Sequence, residues 1–175
     1  MDPGQYALWL TPSGKLDARL TQLITELAQE FSAPFFEPHV TLLGGIMGDR
    51  AKLVRQCEQL ADSLRPFEIR LAGPGQLDDY YRSLFIHVAR SPALLQANRR
   101  AREVLDCSGD PDYLPHVSLL YGSHPSEQKQ SFIAKRADEM NGTFSADRFY
   151  LIDLAGEPQD WTRIRSFLFR KEHRP

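Results

Sequence analysis

One segment of this chain is written twice. Residues 38–45 read Pro-His-Val-Thr-Leu-Leu-Gly-Gly, and residues 115–122 read Pro-His-Val-Ser-Leu-Leu-Tyr-Gly. Six of the eight positions are identical, and a seventh exchanges Thr41 for Ser118. The chain holds five histidines, and two of them fall at matched positions of the repeat. Such self-similarity constrains a fold, because each copy is one structural unit that must find an equivalent setting. It predicts two lobes, each presenting the same strand.

The strand period says what each copy presents. Successive side chains alternate faces, so His39 and Thr41 share one face while Val40 lies on the other. His116 and Ser118 share a face in the same way, opposite Val117. Each strand therefore offers an imidazole beside a hydroxyl, with aliphatic residues anchoring its back. Pro38 and Pro115 fix the approach of each strand where no ladder donor is needed. A single histidine on a strand is ordinarily a satisfied core or surface residue. Two copies in one proline-to-glycine frame point to function.

Two imidazoles and two hydroxyls facing one another suit phosphodiester hydrolysis without a metal. One neutral imidazole takes a proton from water, and the other, protonated, gives one to the departing oxygen. Histidine fits both tasks because its pKa lies near neutrality. Thr41 and Ser118 are placed to donate to the non-bridging phosphate oxygens as their charge reorganises. An imidazole–hydroxyl pair also fits a serine nucleophile, but two symmetric pairs favour acid–base work on one phosphorus.

Helical and strand patterns interleave along the chain. Apolar residues at spacings of three and four predict helices over residues 16–31, 50–64, 92–105 and 125–140, the last capped by Asn141-Gly142. Strands are expected over residues 6–10, 40–43, 67–71, 83–88, 117–121, 144–154 and 162–169, with Gly73-Pro74-Gly75 breaking the third. The polar tail, residues 171–175, is expected to fray. No Gly-, Ser- or Pro-rich linker divides the 175 residues, so one domain over residues 1–175, of mixed α and β class, is expected. The net charge of −2 gives no global basic field for a long nucleic acid and suits a small ligand. Cys57 and Cys107 have neither disulfide-scaffold nor zinc spacing, so two structural thiols and no metal are expected. No apolar run reaches membrane-spanning length, and the start lacks a basic, apolar leader, so a cytoplasmic protein is the expectation.

At the repeat the sequence resembles the two-histidine (2H) phosphoesterases, whose hallmark is a pair of His-x-[Ser/Thr]-hydrophobic motifs. Those are met here by His39-Val40-Thr41-Leu42 and His116-Val117-Ser118-Leu119. It most resembles the plant and yeast cyclic nucleotide phosphodiesterases, through Tyr6-Ala7-Leu8-Trp9-Leu10-Thr11-Pro12, Phe36-Glu37-Pro38 and Tyr113-Leu114-Pro115. The resemblance implies an α+β, bilobal fold. Two pseudo-symmetric lobes of antiparallel sheet would carry helices outside and a central cleft between them. It implies opening of nucleoside 2',3'-cyclic phosphates to 2'-phosphates, and of ADP-ribose 1'',2''-cyclic phosphate to the 1''-phosphate, with no cofactor. By the motif match His39 and His116 are the catalytic pair, Thr41 and Ser118 hold phosphate, and Tyr121 adds a phosphate contact. His116 is assigned the base role and His39 the acid role, on a nearly even choice. Strict alternation turns Tyr121 away from the His116 face, so a twist or bulge near Gly122 is required. The first copy has Gly44 where the second has Tyr121, so the halves are not equivalent.

Other residues carry weaker expectations. Trp9 and Tyr81 are candidate base contacts, with Tyr80, Phe85 and Tyr113 as core residues near them. Asp78-Asp79 reads as a solvated turn, His87 as structural or exposed, and His124 as a loop residue near the second motif. Arg99, Arg100 and Arg102 read as a solvated helix face. The expected partner is a small nucleotide, bound by a monomer. An enzyme of RNA cyclic ends and a non-catalytic nucleotide-binding module are the alternatives.

Overall fold

The computed structural model describes residues 4–170, so the polar tail lies outside the described residues. In chain order the elements are β1 (Gly4–Leu10), α1 (Gly14–Phe31), β2 (Val40–Gly48), α2 (Arg50–Ser63), β3 (Phe67–Gln76), β4 (Leu84–Val88), α3 (Pro92–Leu105), β5 (His116–Leu120), α4 (Ser126–Arg136), β6 (Asn141–Ala146), β7 (Arg148–Asp153) and β8 (Thr162–Leu168). The helices form where apolar stripes and caps direct them. Leu20, Leu23, Ile24 and Leu27 make the buried stripe of α1, which ends at Ser32 in the left-handed region, φ 51°. Asp49 caps α2 by accepting from the Lys52 N–H, and Ser91 caps α3 by accepting from Leu94, with Pro92 in the first turn.

All eight strands lie in one antiparallel sheet of order β6-β3-β4-β5-β2-β1-β7-β8. The two expected lobes are its two four-stranded halves, joined along β2 and β5. These strands pair at Val40 and Val117, the centre of the pseudo-symmetry. No cut of the chain separates the halves, because β3 crosses to the β4–β5 side and β7 and β8 return to β1. One sheet face carries the helices and most of the core, with Val40, Leu42, Val117 and Leu119 buried there among leucines of α1, α2 and α3. The other face bears the two motifs.

Both motif strands bulge at the same place. On β2, Trp9 pairs with Thr41 but Leu8 pairs with Leu43, so Leu42 is one residue too many. On β5, Phe85 pairs with Ser118 but Leu84 pairs with Leu120, so Leu119 is the extra residue. A bulge resets the alternation. Both leucines of each Leu-Leu pair therefore enter the core, at 2% exposure or less. The residue after each pair, Gly44 or Tyr121, returns to the histidine face.

Four expected boundaries change. Strand β2 continues through Gly44-Gly45 to Gly48, and β3 continues through Gly73-Pro74-Gly75, shifting register between Leu71 and Pro74. Proline is tolerated there because β6 pairs with β3 only as far as Ala72, which leaves Pro74 at a free edge. The single strand expected over residues 144–154 is two, β6 and β7, which pair with β3 and β1 in opposite halves. Helix α4 stops at Arg136, so Asn141-Gly142 opens β6 instead of capping a helix.

Candidate active site

The two histidines are held in the same way. His39 Nδ1 donates to the carbonyl oxygen of Glu37 at 2.7 Å, and His116 Nδ1 donates to that of Leu114 at 2.7 Å. A carbonyl can only accept, so each bond fixes the proton on Nδ1 and leaves Nε2 as the working atom. The partner is the carbonyl two residues back, across Pro38 or Pro115. The prolines thus orient the rings as well as the strands. Extending the Val40–Val117 register by one residue sets Thr41 opposite His116 and Ser118 opposite His39. Each imidazole then faces the other copy's hydroxyl. All four side chains line one cavity of about 630 Å³.

The surroundings of the two rings differ. His39 is 5% exposed and lies flat on Trp9, ring centroids 3.6 Å apart and 7° from parallel. Burial pushes its pKa down to about 3, against the pull of the Glu37 bond, with His116 and Arg163 adding like charge. Arg163 clamps the Glu37 carboxylate at 2.6 Å and stacks over Tyr150, so β8 braces the residue that orients His39. His116 is half-buried. Burial lowers its pKa as well, the Leu114 bond opposes this, Arg82 and His87 lower it further, and Asp79 raises it. His87 pairs directly with His116 across β4 and β5, so the two side chains share a face.

The hydroxyls are not equivalent either. Ser118 Oγ donates to the Tyr81 carbonyl at 2.8 Å, so its proton must rotate to reach a phosphate. Beside Thr41, the Tyr113 hydroxyl donates to the Thr41 carbonyl at 3.0 Å. Tyr121 lies in the cavity wall, brought there by the bulge at Leu119, and stacks on Phe36 at 3.8 Å. Burial drives its phenol far above the usual range, with Ser118 hydrogen bonding opposing this, so Tyr121 stays a neutral phenol.

Several expectations change here. Trp9 is no free platform for a base, because His39 covers one face and Trp161 meets it edge-on at 5.9 Å. Tyr81 does line the cavity and is 54% exposed. Asp79 is more than a solvated turn: it caps the turn Tyr80–Arg82, pairs with Arg82 at 3.1 Å and lines the cavity. His87 stands beside His116 rather than alone. His124 points to the Tyr121 carbonyl at 2.9 Å and Phe31, outside the cavity wall. Arg99, Arg100 and Arg102 also lie outside it, and Arg100 pairs with Glu103. Cys57 and Cys107 are both free, and Cys107 borders the cavity beside Gly44 and Gly45.

Asn98 and Trp161 are among the wall residues not singled out from the sequence. Asn98 had a signal: it interrupts the apolar stripe Leu94, Ala97, Ala101, Leu105 of α3. Trp161 had none, since only the long-range pairing of β8 brings it across the site. Among the described residues no group of three or more His, Cys, Asp or Glu side chains could hold a metal ion. No helix among them is long and apolar enough to cross a membrane.

A curled antiparallel sheet whose centre presents two carbonyl-locked His-x-Thr/Ser strands defines a two-histidine phosphoesterase. The family model for the 2'-5' RNA ligase superfamily matches residues 16–158, and the chain belongs to that superfamily. It is 27% identical over 128 residues, 72% of this chain and 70% of the relative, to a protein of Arabidopsis thaliana named cyclic phosphodiesterase. The fold matches TT0787 of Thermus thermophilus at TM-score 0.69 and 18% identity, covering 97% of this chain and 100% of that one. It matches Escherichia coli LigT in its apo form at TM-score 0.65 and 15% identity, covering 97% and 99%.

Proposed function

We propose that the protein opens nucleoside 2',3'-cyclic phosphates to 2'-phosphates by metal-independent acid–base catalysis. The observation that carries this is the pair of imidazoles with Nδ1 locked on a carbonyl and Nε2 free, each opposite a hydroxyl in one cavity. The similarity to the Arabidopsis cyclic phosphodiesterase supports the substrate class.

The cyclic phosphate sits between the imidazoles, with Thr41, Ser118 and Tyr121 donating to its non-bridging oxygens. His39 Nε2 takes a proton from water as the water oxygen bonds to phosphorus. The bond from phosphorus to O3' breaks on the opposite side, and His116 gives O3' its proton. Burial supports these roles. The fully buried His39 stays neutral, as a base must, while the less buried His116 picks up a proton more readily beside an anionic substrate. This reverses the assignment expected from the sequence, where the two copies were nearly interchangeable.

The test is turnover of 2',3'-cyclic AMP by purified protein with EDTA present, followed by phosphorus NMR. The reading expects 2'-AMP, lost in His39→Ala and in His116→Ala. Unchanged turnover in both variants, or dependence on an added metal, would contradict it.

A further inference from the structure

The cavity has two chemically different ends. Around His39 it is aromatic: Trp161 lies 5.9 Å from Trp9 and 6.1 Å from Tyr121, and Tyr81 lies 5.3 Å from Tyr121. Around His116 it is more polar, with Asn98, Arg82 and Asp110 in the wall beside one ring, Tyr113, whose hydroxyl donates to the Thr41 carbonyl. There the bulge of β2 returns Gly44 to the wall at the position Tyr121 holds in the other half. A Cβ at Gly44 would meet only Thr41 Cγ2, at 3.6 Å, so the space above it is open. Asn98 forms the back of this end. It is 5% exposed, and its Nδ2 donates to the Leu42 carbonyl at 2.7 Å, at the bulge. Its Oδ1 has no partner among the described residues, and the side chain lines the cavity.

No donor among the described residues engages that oxygen, and it is open to the cavity, so a ligand hydroxyl that reaches it can bond to it. The donor is constrained by the substrate's own geometry. In a nucleoside 2',3'-cyclic phosphate the base leaves the ribose at C1', beside C2', and the 5' carbon leaves at C4', beside C3'. With the phosphate clamped between the histidines, those two substituents diverge toward opposite ends of the cavity. The aromatic end stacks the base. The 5' arm then runs over Gly44 toward Asn98. This orientation also places O3' on the His116 side, where the acid stands.

We propose that Gly44 and Asn98 form a subsite for the 5'-hydroxymethyl group, in which Asn98 Oδ1 accepts a hydrogen bond from a free 5'-hydroxyl. The charge around it disfavours a 5'-phosphate. Arg82 is the cation in the wall there, it is engaged by Asp79 at 3.1 Å, and Asp110 adds a second carboxylate. The subsite therefore selects small nucleoside cyclic phosphates over RNA ends, whose terminal ribose carries a phosphodiester at that position. The inference rests on the 2',3'-cyclic phosphate reading and narrows it.

The experiment measures kcat/KM for 2',3'-cyclic AMP, its 5'-deoxy analogue and its 5'-phosphate, with wild type and Asn98→Ala. Wild type is expected to lose about tenfold on the 5'-deoxy analogue, the size of one hydrogen bond, and more on the 5'-phosphate. Asn98→Ala also frees the Leu42 carbonyl, which lowers activity on every substrate alike. The hydrogen bond appears as the excess: the variant should lose about tenfold more on the parent than on the 5'-deoxy analogue. Should Asn98→Ala fail to fold, Gly44→Leu fills the same space. It should impair the parent more than the erythrofuranosyl analogue that lacks the 5' carbon. Equal wild-type rates on all three substrates, or equal losses in the variants, would overturn the subsite and leave the reaction standing. Absence of turnover on all three would overturn the reaction and the subsite together.

Discussion

The strands β2 and β5 carry nearly the same octapeptide and are built alike up to their Leu-Leu pairs. Each locks its histidine on the carbonyl two residues back, and each bulges at the first leucine. They part at the next residue, where β2 has Gly44 and the chain after β5 has Tyr121. They differ also in what surrounds the ring. His39 is sealed against Trp9, and its orienting residue Glu37 is braced by Arg163, whereas His116 stands half-buried beside His87, Arg82 and Asp79. In the proposed reaction the shared features make a symmetric clamp for one phosphorus. The differences give the clamp a direction, because a base must stay neutral and an acid must hold a proton.

The largest effects should come from the shared parts. Replacing either histidine by alanine should lower kcat for 2',3'-cyclic AMP by about 10²- to 10⁴-fold, the span of general acid–base catalysis, in a steady-state assay. Leu42→Ala and Leu119→Ala should each destabilise the fold by about 2–5 kcal/mol in urea unfolding, because both side chains are buried in the core at the bulges. The halves should then separate in what they lose. Leu119→Ala disturbs Tyr121 and should lower kcat more than its stability loss explains, while Leu42→Ala disturbs Gly44 and the Leu42 carbonyl that holds Asn98.

Smaller effects should mark the differences. Tyr121→Phe removes one neutral donor and should cost about tenfold in kcat/KM with little change in stability. If it matches wild type, Tyr121 contributes packing on Phe36 alone. The pH profile of kcat/KM reports the free enzyme. It should rise as His39 loses its proton, near pH 3, and fall as His116 loses its own, below pH 6.5 because its pKa is lowered from 6.5. The optimum therefore lies on the acidic side of neutrality. An alkaline optimum would mean that neither imidazole serves as the acid.

The motif residues were legible because the information is local. The spacing of histidine and hydroxyl within each copy places them on one face, and duplication supplies the partner. The bulges escaped because an alternating pattern assigns Leu43 and Leu120 to the histidine face, and only pairing with Leu8 and Leu84 shows both in the core. Tyr121 was therefore expected in the wall only on condition of such a distortion, which the β4–β5 register supplies. Arg163 and Trp161 could not be placed from sequence. They come from the end of the chain, and they reach the site because β8 joins the sheet half of β1 and β2. Asn98 could have been found, since a polar residue on the apolar stripe of a helix needs a partner.

The claim that the two copies have taken opposite roles is tested most directly by relieving the need for an acid. Bis(4-nitrophenyl) phosphate releases a nitrophenolate that departs without protonation. His116→Ala should retain turnover of this diester close to wild type while His39→Ala loses it, measured by release of nitrophenolate. Equal losses in both variants, or rescue of His39→Ala instead, would contradict the assignment.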